Sequence, residues 1–211
     1  MSLLQSGLAK SVADDAYTID NSLRFDDGDA AYLSRTFAAG NQKTWTFSAW
    51  MKFGALSGNK TFFSGGDGDN IVRVDGNNRL QIYAWQSPND YGWISQPVMR
   101  DPNAWYHVVF VTDTTNASAS QRQRIYLNGE QLTSRLTDYG DPPEDYEGLI
   151  NSAVAHRVAT GVTATQYMDG YLAEVYFIDG TALTPASFTE TDSDTNQLVP
   201  TDSDTVKAAV T

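Results

Sequence analysis

The sequence predicts an all-β chain, two antiparallel sheets packed face to face as a sandwich with a short arm at each end. Three observations carry this. Residues 44–53 (TWTFSAWMKF) alternate, with Trp45, Phe47, Ala49 and Met51 on one face and Thr46, Ser48 and Trp50 on the other, which is the period of a strand. Residues 105–111 (WYHVVFV) carry apolar side chains on both faces, as in a strand covered from both sides. Residues 124–127 then run into Asn128-Gly129, a dipeptide that adopts the positive backbone angles of a tight hairpin turn. That hairpin is the expected centre of the fold.

Length and composition agree with one such unit. The chain has 211 residues, and a large all-β sandwich reaches roughly 200 to 250 residues as a single domain. Its 9 Phe, 5 Trp and 11 Tyr can fill the space between two sheets, each ring burying on the order of 150 to 250 Å². There is no cysteine, which removes disulfides, zinc–thiolate sites and thiol catalysis. A net charge of -12 argues against a nucleic-acid partner, whose phosphates need clustered Lys and Arg. Excess carboxylates can instead serve a solvated surface or supply oxygen ligands to calcium. The opening MSLLQSGLAKS lacks a charged start followed by an apolar run, and no stretch approaches the ~20 apolar residues of a membrane span. No signal peptide and no membrane span are therefore expected, and the retained Met1 argues against a processed secretory protein.

Taken in order, residues 1–20 hold Leu3, Leu4, Leu8, Val12 and Ile19 without a sustained period, so they read as a docking arm. The domain is expected over 21–190, opening with a strand at 22–25 that Asp26-Asp27-Gly28-Asp29 stops and a second at 31–33. After the strand at 44–53, residues 62–66 lead to a Gly and Asp loop. Residues 71–74 and 79–85 then flank Asp75-Gly76-Asn77-Asn78 as a second hairpin. Residues 86–92 read as a polar loop carrying Pro88, 93–98 as an extended run, and 112–121 as a flexible surface connection. With Pro142, Pro143 and the carboxylates Asp141, Glu144, Asp145 and Glu147, residues 138–148 read as a long exposed loop. Residues 153–159 and 170–180 complete the sheets, and Thr184-Pro185 starts a single helical turn. The remainder, 191–211, contains TDSDT twice and is polar, the composition of an arm that orders only against a partner.

The pair "WYHVV" and "IYLNG" resembles the laminin-G-like, concanavalin A-like jelly-roll superfamily, where it marks the middle of the domain. "SLRFDDGDAAYLSRT" is similar to that superfamily's opening strands. "KTWTFSAWMK", "RDPNAWYHVVFVTDTT", "AHRV" and "DGYLAEVYFIDGTALTPASFTETDSDT" resemble one branch of it, domains of tailed, marine-type bacteriophage virion proteins, over about residues 19–195. The resemblance implies a jelly-roll fold, a structural role in the particle and a location in the virion.

Candidate sites follow from the residues and this likeness together. Glucanases of this fold place catalytic carboxylates on one strand as E-x-D-x-x-E, and retaining hydrolysis needs two carboxyls ~5 to 5.5 Å apart. That motif is absent, and Glu144-Asp145-Tyr146-Glu147 has the wrong spacing in a Pro-rich loop. Neither His107 nor His156 sits beside a nucleophile turn, so both are expected to be buried and hydrogen-bonded, and no catalysis is expected. First and last strands of this fold commonly pair. Pairing 23–25 with 171–177 would bring Asp26 and Asp29 near Asp169, a rim that suits calcium, although ordinary Asp-Gly turn chemistry accounts for the same residues. Some branches have an acidic residue where this chain has Ala173, which weakens that site. A glycan would need exposed rings with polar neighbours, and Trp85, Asn89, Asp90, Tyr91 and Trp93 offer them, unless the tryptophans fill the core.

Two functions stay open at this level. One is a non-enzymatic virion structural protein displayed on the particle surface, as head decoration or as a tail or fibre component, aiding attachment to the host. It would be present as a homo-oligomer or in many copies and bind other virion proteins through both arms. The other is a lectin-like, carbohydrate-binding adhesion module for a host glycan.

Overall fold

The computed structural model describes residues 19, 21–66, 70–86, 88–161 and 166–210. Two antiparallel sheets face each other. The six-stranded sheet runs in the order β1 (Leu23–Phe25), β13 (Gly170–Asp179), β3 (Thr44–Phe53), β8 (Tyr106–Asp113), β9 (Gln123–Leu127) and β10 (Glu130–Leu132). The seven-stranded sheet runs β11 (Arg135–Gly140), β7 (Asn89–Ser95), β6 (Leu80–Gln86), β5 (Ile71–Val74), β4 (Lys60–Gly65), β12 (Ala155–Val158) and β2 (Leu33–Thr36). A separate hairpin joins β14 (Thr189–Thr191) to β15 (Leu198–Pro200), and a short helix, α1 (Ser203–Ala208), follows it. The fold is the jelly-roll sandwich that the sequence implied.

The inner faces meet in a core that the period-two pattern of β3 foretells. Trp45, Phe47, Ala49, Met51 and Phe53 all enter it. Phe47 lies 5.5 Å from Phe63 and 6.5 Å from Phe110 between ring centroids, and Phe62 lies 6.0 Å from Phe110. These are separations at which rings gain beyond their buried area. Asn128 and Gly129 turn β9 into β10 with φ of 48° and 88°, the left-handed pair expected of a two-residue hairpin. The Asn128 side chain also accepts the His107 backbone N–H at 2.9 Å, tying the turn to β8.

The outer face of β8 is apolar too, and the polypeptide covers it with its own C-terminal segment. Val109, Val111 and Tyr126 pack with Phe188 and Val206, with Tyr176, Ile178, Ala182 and Leu183 around them. Residues 191–210 thus take ordered elements and Val206 packs on the sandwich itself, where the sequence reading left 191–211 to be ordered by a partner. The two TDSDT copies serve this docking as matched caps. Asp192 Oδ1 accepts the backbone N–H of Asp194 and of Thr195, and Asp202 Oδ1 does the same for Asp204 and Thr205. The second copy starts α1, whose Val206 is 1% exposed. The expected N-terminal docking arm, apart from Ile19, lies outside the described residues.

Three loops of the sequence reading belong partly to strands. Gln86 and residues 89–92 belong to the β6–β7 hairpin, with Gln86 opposite Asn89 and Trp85 opposite Asp90. Polar side chains are tolerated there because the hairpin end projects beyond the core. Asp138 and Gly140 pair with β7 across an irregular register, and Thr112 and Asp113 finish β8.

Candidate functional site

The expected aromatic segment is divided by strand parity. Opposite residues of an antiparallel pair share a face, and neighbours along a strand alternate. Ile82 and Trp93 are opposite and both enter the core. Trp93 is 2% exposed, with its Nε1 donating to Gln123 O at 3.3 Å, so its expected role on the surface is corrected to that of a core residue. Asn89 and Tyr91 share its parity, and Tyr91 packs 4.9 Å from the Tyr146 ring. Trp85 and Asp90 point the other way. Trp85 is 42% exposed, and on that outer face Tyr83 lies edge-on to Tyr139 at 5.0 Å. Trp85, Asp90, Tyr83 and Tyr139 share that outer face.

Beside it lies a cleft that the sequence did not announce. It has a volume of about 390 Å³ and opens at the sandwich edge where β10 and β11 leave the two sheets unclosed. That volume falls in the range of small-ligand sites, about 300 to 1,000 Å³. The guanidinium of Arg135 stands 5.2 Å above the Trp93 ring. Its Nη1 donates to both Asp138 oxygens at 3.0 Å, and its Nη2 to Asp141 Oδ1 at 2.8 Å. Burial alone would lower the Arg135 pKa; Asp141 and Asp138 outweigh it and raise it above its ordinary value. Ser120, Gln121, Gln131 and Thr133 supply neutral donors and acceptors. Gln123, 3% exposed, separates the cleft from a cavity of about 20 Å³. Thr112 Oγ1, Gln123 Oε1 and Tyr146 Oη are buried without partners among the described residues, and their side chains line that cavity. It has the size of a single-water site, and these three atoms are the polar partners a water would need. Nothing in the linear pattern joins residues 120–123, 131–135 and 138–141 to Trp93; the pairing of β11 with β7 brings the last of these, and the facing of the two sheets brings the others.

The rim expected for calcium is built differently from the expectation. β1 does pair with β13, with Phe25 opposite Gly170, which brings Asp26 beside Asp169. A Cβ at Gly54 would stand 2.3 Å from Asp169 Oδ1, so glycine gives that carboxylate its place. Asp26 is engaged locally, accepting from Gly28 N at 3.0 Å and from Arg24 at 3.1 Å. It is Asp27, not Asp29, that lines a pocket of about 160 Å³ with Asp169, Asn59 and Lys60. Burial and then Asp27 raise the Asp169 pKa, against the pull of Lys60. Lys60, 1% exposed, donates to the carbonyls of Ser57 and Gly58. Among the described residues no three His, Cys, Asp or Glu side chains converge to hold a metal ion.

Both histidines are buried. His156 Nε2 accepts from Asn151 N at 2.9 Å, which leaves Nδ1 to donate to Val154 O at 2.9 Å and fixes one neutral tautomer. His107 Nε2 lies 2.9 Å from Ser48 Oγ, away from any carboxylate of the cleft. The acidic run at 144–147 meets cations instead of substrate space: Glu144 pairs with Arg122 at 3.2 Å and Asp145 with Lys43 at 3.3 Å.

A family model described as the concanavalin A-like lectin/glucanases superfamily matches residues 25–187. No curated protein sequence matches the chain. Among solved structures, domain 4 of an extracellular arabinanase from Geobacillus stearothermophilus, in complex with arabinotriose, superposes with a TM-score of 0.55. It is 18% identical, over 78% of this chain and 73% of that one. Domains LG4-5 of the mouse laminin alpha1 chain superpose at 0.55 and 10% identity, over 91% of this chain and 46% of that one. The enzymatically active domain of bacteriophage CBA120 tailspike protein 2 superposes at 0.54 and 12% identity, over 79% of this chain and 26% of that one.

Proposed function

The chain belongs to the concanavalin A-like lectin/glucanases superfamily, and from that premise we propose that it is a non-catalytic glycan-binding module on the surface of a bacteriophage particle, where it serves attachment. The observation that carries the binding half is the cleft at the open edge of the sandwich. Amides, hydroxyls and hydrogen-bonded carboxylates converge there on a space of about 390 Å³, the kind of lining that reads sugar hydroxyls. Arabinotriose in complex with the arabinanase domain, at a TM-score of 0.55, is in keeping with this use of the fold.

The non-catalytic half rests on what the carboxylates are doing. Glycoside hydrolysis needs one carboxyl free to give a proton and a second free to attack or to activate water. Asp138 and Asp141 are both bound to one guanidinium. Titration calorimetry against an oligosaccharide panel, with product analysis of the same mixtures, tests both halves. Binding without turnover, weakened at least tenfold by Gln131→Ala, is expected. Turnover abolished by Asp141→Asn would make the protein an enzyme.

The particle assignment is supported by the resemblance of the chain's sequence strings to phage virion domains over about residues 19–195. An antibody against the protein should decorate purified particles in electron micrographs. Its absence from them would leave a free lectin-like module.

A further inference from the structure

We infer that the cleft selects uncharged oligosaccharides and turns acidic ones away, an inference that rests on the glycan-binding reading above. The charged groups lining it are Arg135, Asp138 and Asp141. One cation against two carboxylates leaves the lining with an excess negative charge, in a protein whose net charge is -12. The cation is also committed. Nη1 is held by Asp138 and Nη2 by Asp141, while one face of the guanidinium lies over Trp93.

Recognition of a carboxylate or sulfate draws its strength from an arginine that presents two parallel N–H groups to it. Arg135 spends three of its five N–H groups on Asp138 and Asp141, so an incoming anion would have to share a cation whose charge two carboxylates already offset. Asp141 is the more enclosed of the two acceptors, its side chain 21% exposed against 50% for Asp138, so its charge is the less screened by solvent. An incoming anion would meet the repulsion of both aspartates as well. Sugar hydroxyls carry no such penalty. They can donate to the carboxylate lone pairs that Arg135 does not use, and exchange hydrogen bonds with Ser120, Gln121, Gln131 and Thr133.

The experiment compares matched pairs on the full chain by titration calorimetry: lactose with sialyllactose, and neutral galactan oligosaccharides with their sulfated counterparts. The neutral member of each pair is expected to bind at least tenfold more tightly. Asp141→Asn removes one negative charge while its amide oxygen can still accept from Arg135, and it should narrow that ratio several-fold. Gln131→Ala, on an exposed side chain of the cleft, should weaken the neutral member alone. Tighter binding of the acidic member overturns the selectivity and leaves glycan binding intact. Binding that neither substitution alters places the glycan elsewhere and overturns the assignment to this cleft. A folded protein that binds no member of any pair overturns the glycan-binding reading itself.

Discussion

His107 shows how a polar group inside a strand sets a pH limit on the protein. Its ring packs 5.1 Å from Trp50 and faces Phe188 of the C-terminal segment at 6.3 Å. Burial lowers its pKa from 6.5 to about 4. Between those values the unfolded chain binds a proton that the folded one refuses, so stability is full above pH 6.5 and falls as the pH drops toward 4. The loss sums to about 3 kcal/mol. Urea unfolding at a series of pH values should show it, and His107→Gln should flatten that stretch of the profile; an unchanged profile would mean that His107 is not its source. Lys60 makes a second residue-scale case. Burial lowers its pKa, while Asp169 and Asp27 act against this by favouring its charge. An ammonium thus already stands where calcium was expected. We expect the melting temperature of the wild type to ignore calcium and chelator, and that of Lys60→Met to rise with calcium. A wild type stabilised by the roughly 2.7 kcal/mol that an ion at 100 times its Kd supplies would return the rim to calcium.

Elements were legible wherever periodicity and burial agreed. β3, β5 and β13 follow directly from their patterns, and the Asn128-Gly129 turn from its chemistry. The candidate site was harder to read, because it depends on β6, β7 and β11, whose ends run past the core and carry polar side chains that mimic a loop. Once Gln86 and Asn89 are paired strand residues, parity alone sends Trp93 inward and Trp85 outward. The C-terminal segment was misjudged for a different reason. Its anchors, Phe188 and Val206, are too far apart in sequence to show a period, and the intervening polarity belongs to caps. The missing signal lay in β8, where Val109 and Val111 required a cover that neither sheet could provide. Truncation after Pro200 should therefore cost about 2 to 3 kcal/mol, the transfer free energy of a buried valine with a contribution from the surface it protects. Denaturant titration of the truncated and full-length chains checks this, and Val206→Asp should reproduce most of the loss. Equal midpoints would show that the cover contributes nothing.

At the scale of the whole molecule, the two ends of the chain separate folding from assembly. The C-terminal end belongs to the sandwich, so its removal confounds stability with any role in a particle. Residues 1–20 offer a cleaner experiment. Leu3, Leu4, Leu8 and Val12 follow no strand or helix period, and fixing a backbone costs ~1 to 2 kcal/mol per residue. On the proposed reading, contacts with a neighbouring virion protein or a second copy of this chain would offset that cost. Among the described residues the core of the sandwich begins at Phe25. Deleting residues 1–20 is therefore expected to leave the melting temperature and the glycan affinity unchanged and to abolish incorporation into particles, measured by quantitative mass spectrometry of purified virions. Normal occupancy without these residues would move particle contacts to the folded surface. A melting temperature lowered by several degrees would show that they pack on the sandwich as residues 201–210 do, and would leave the free lectin-like module as the stronger reading.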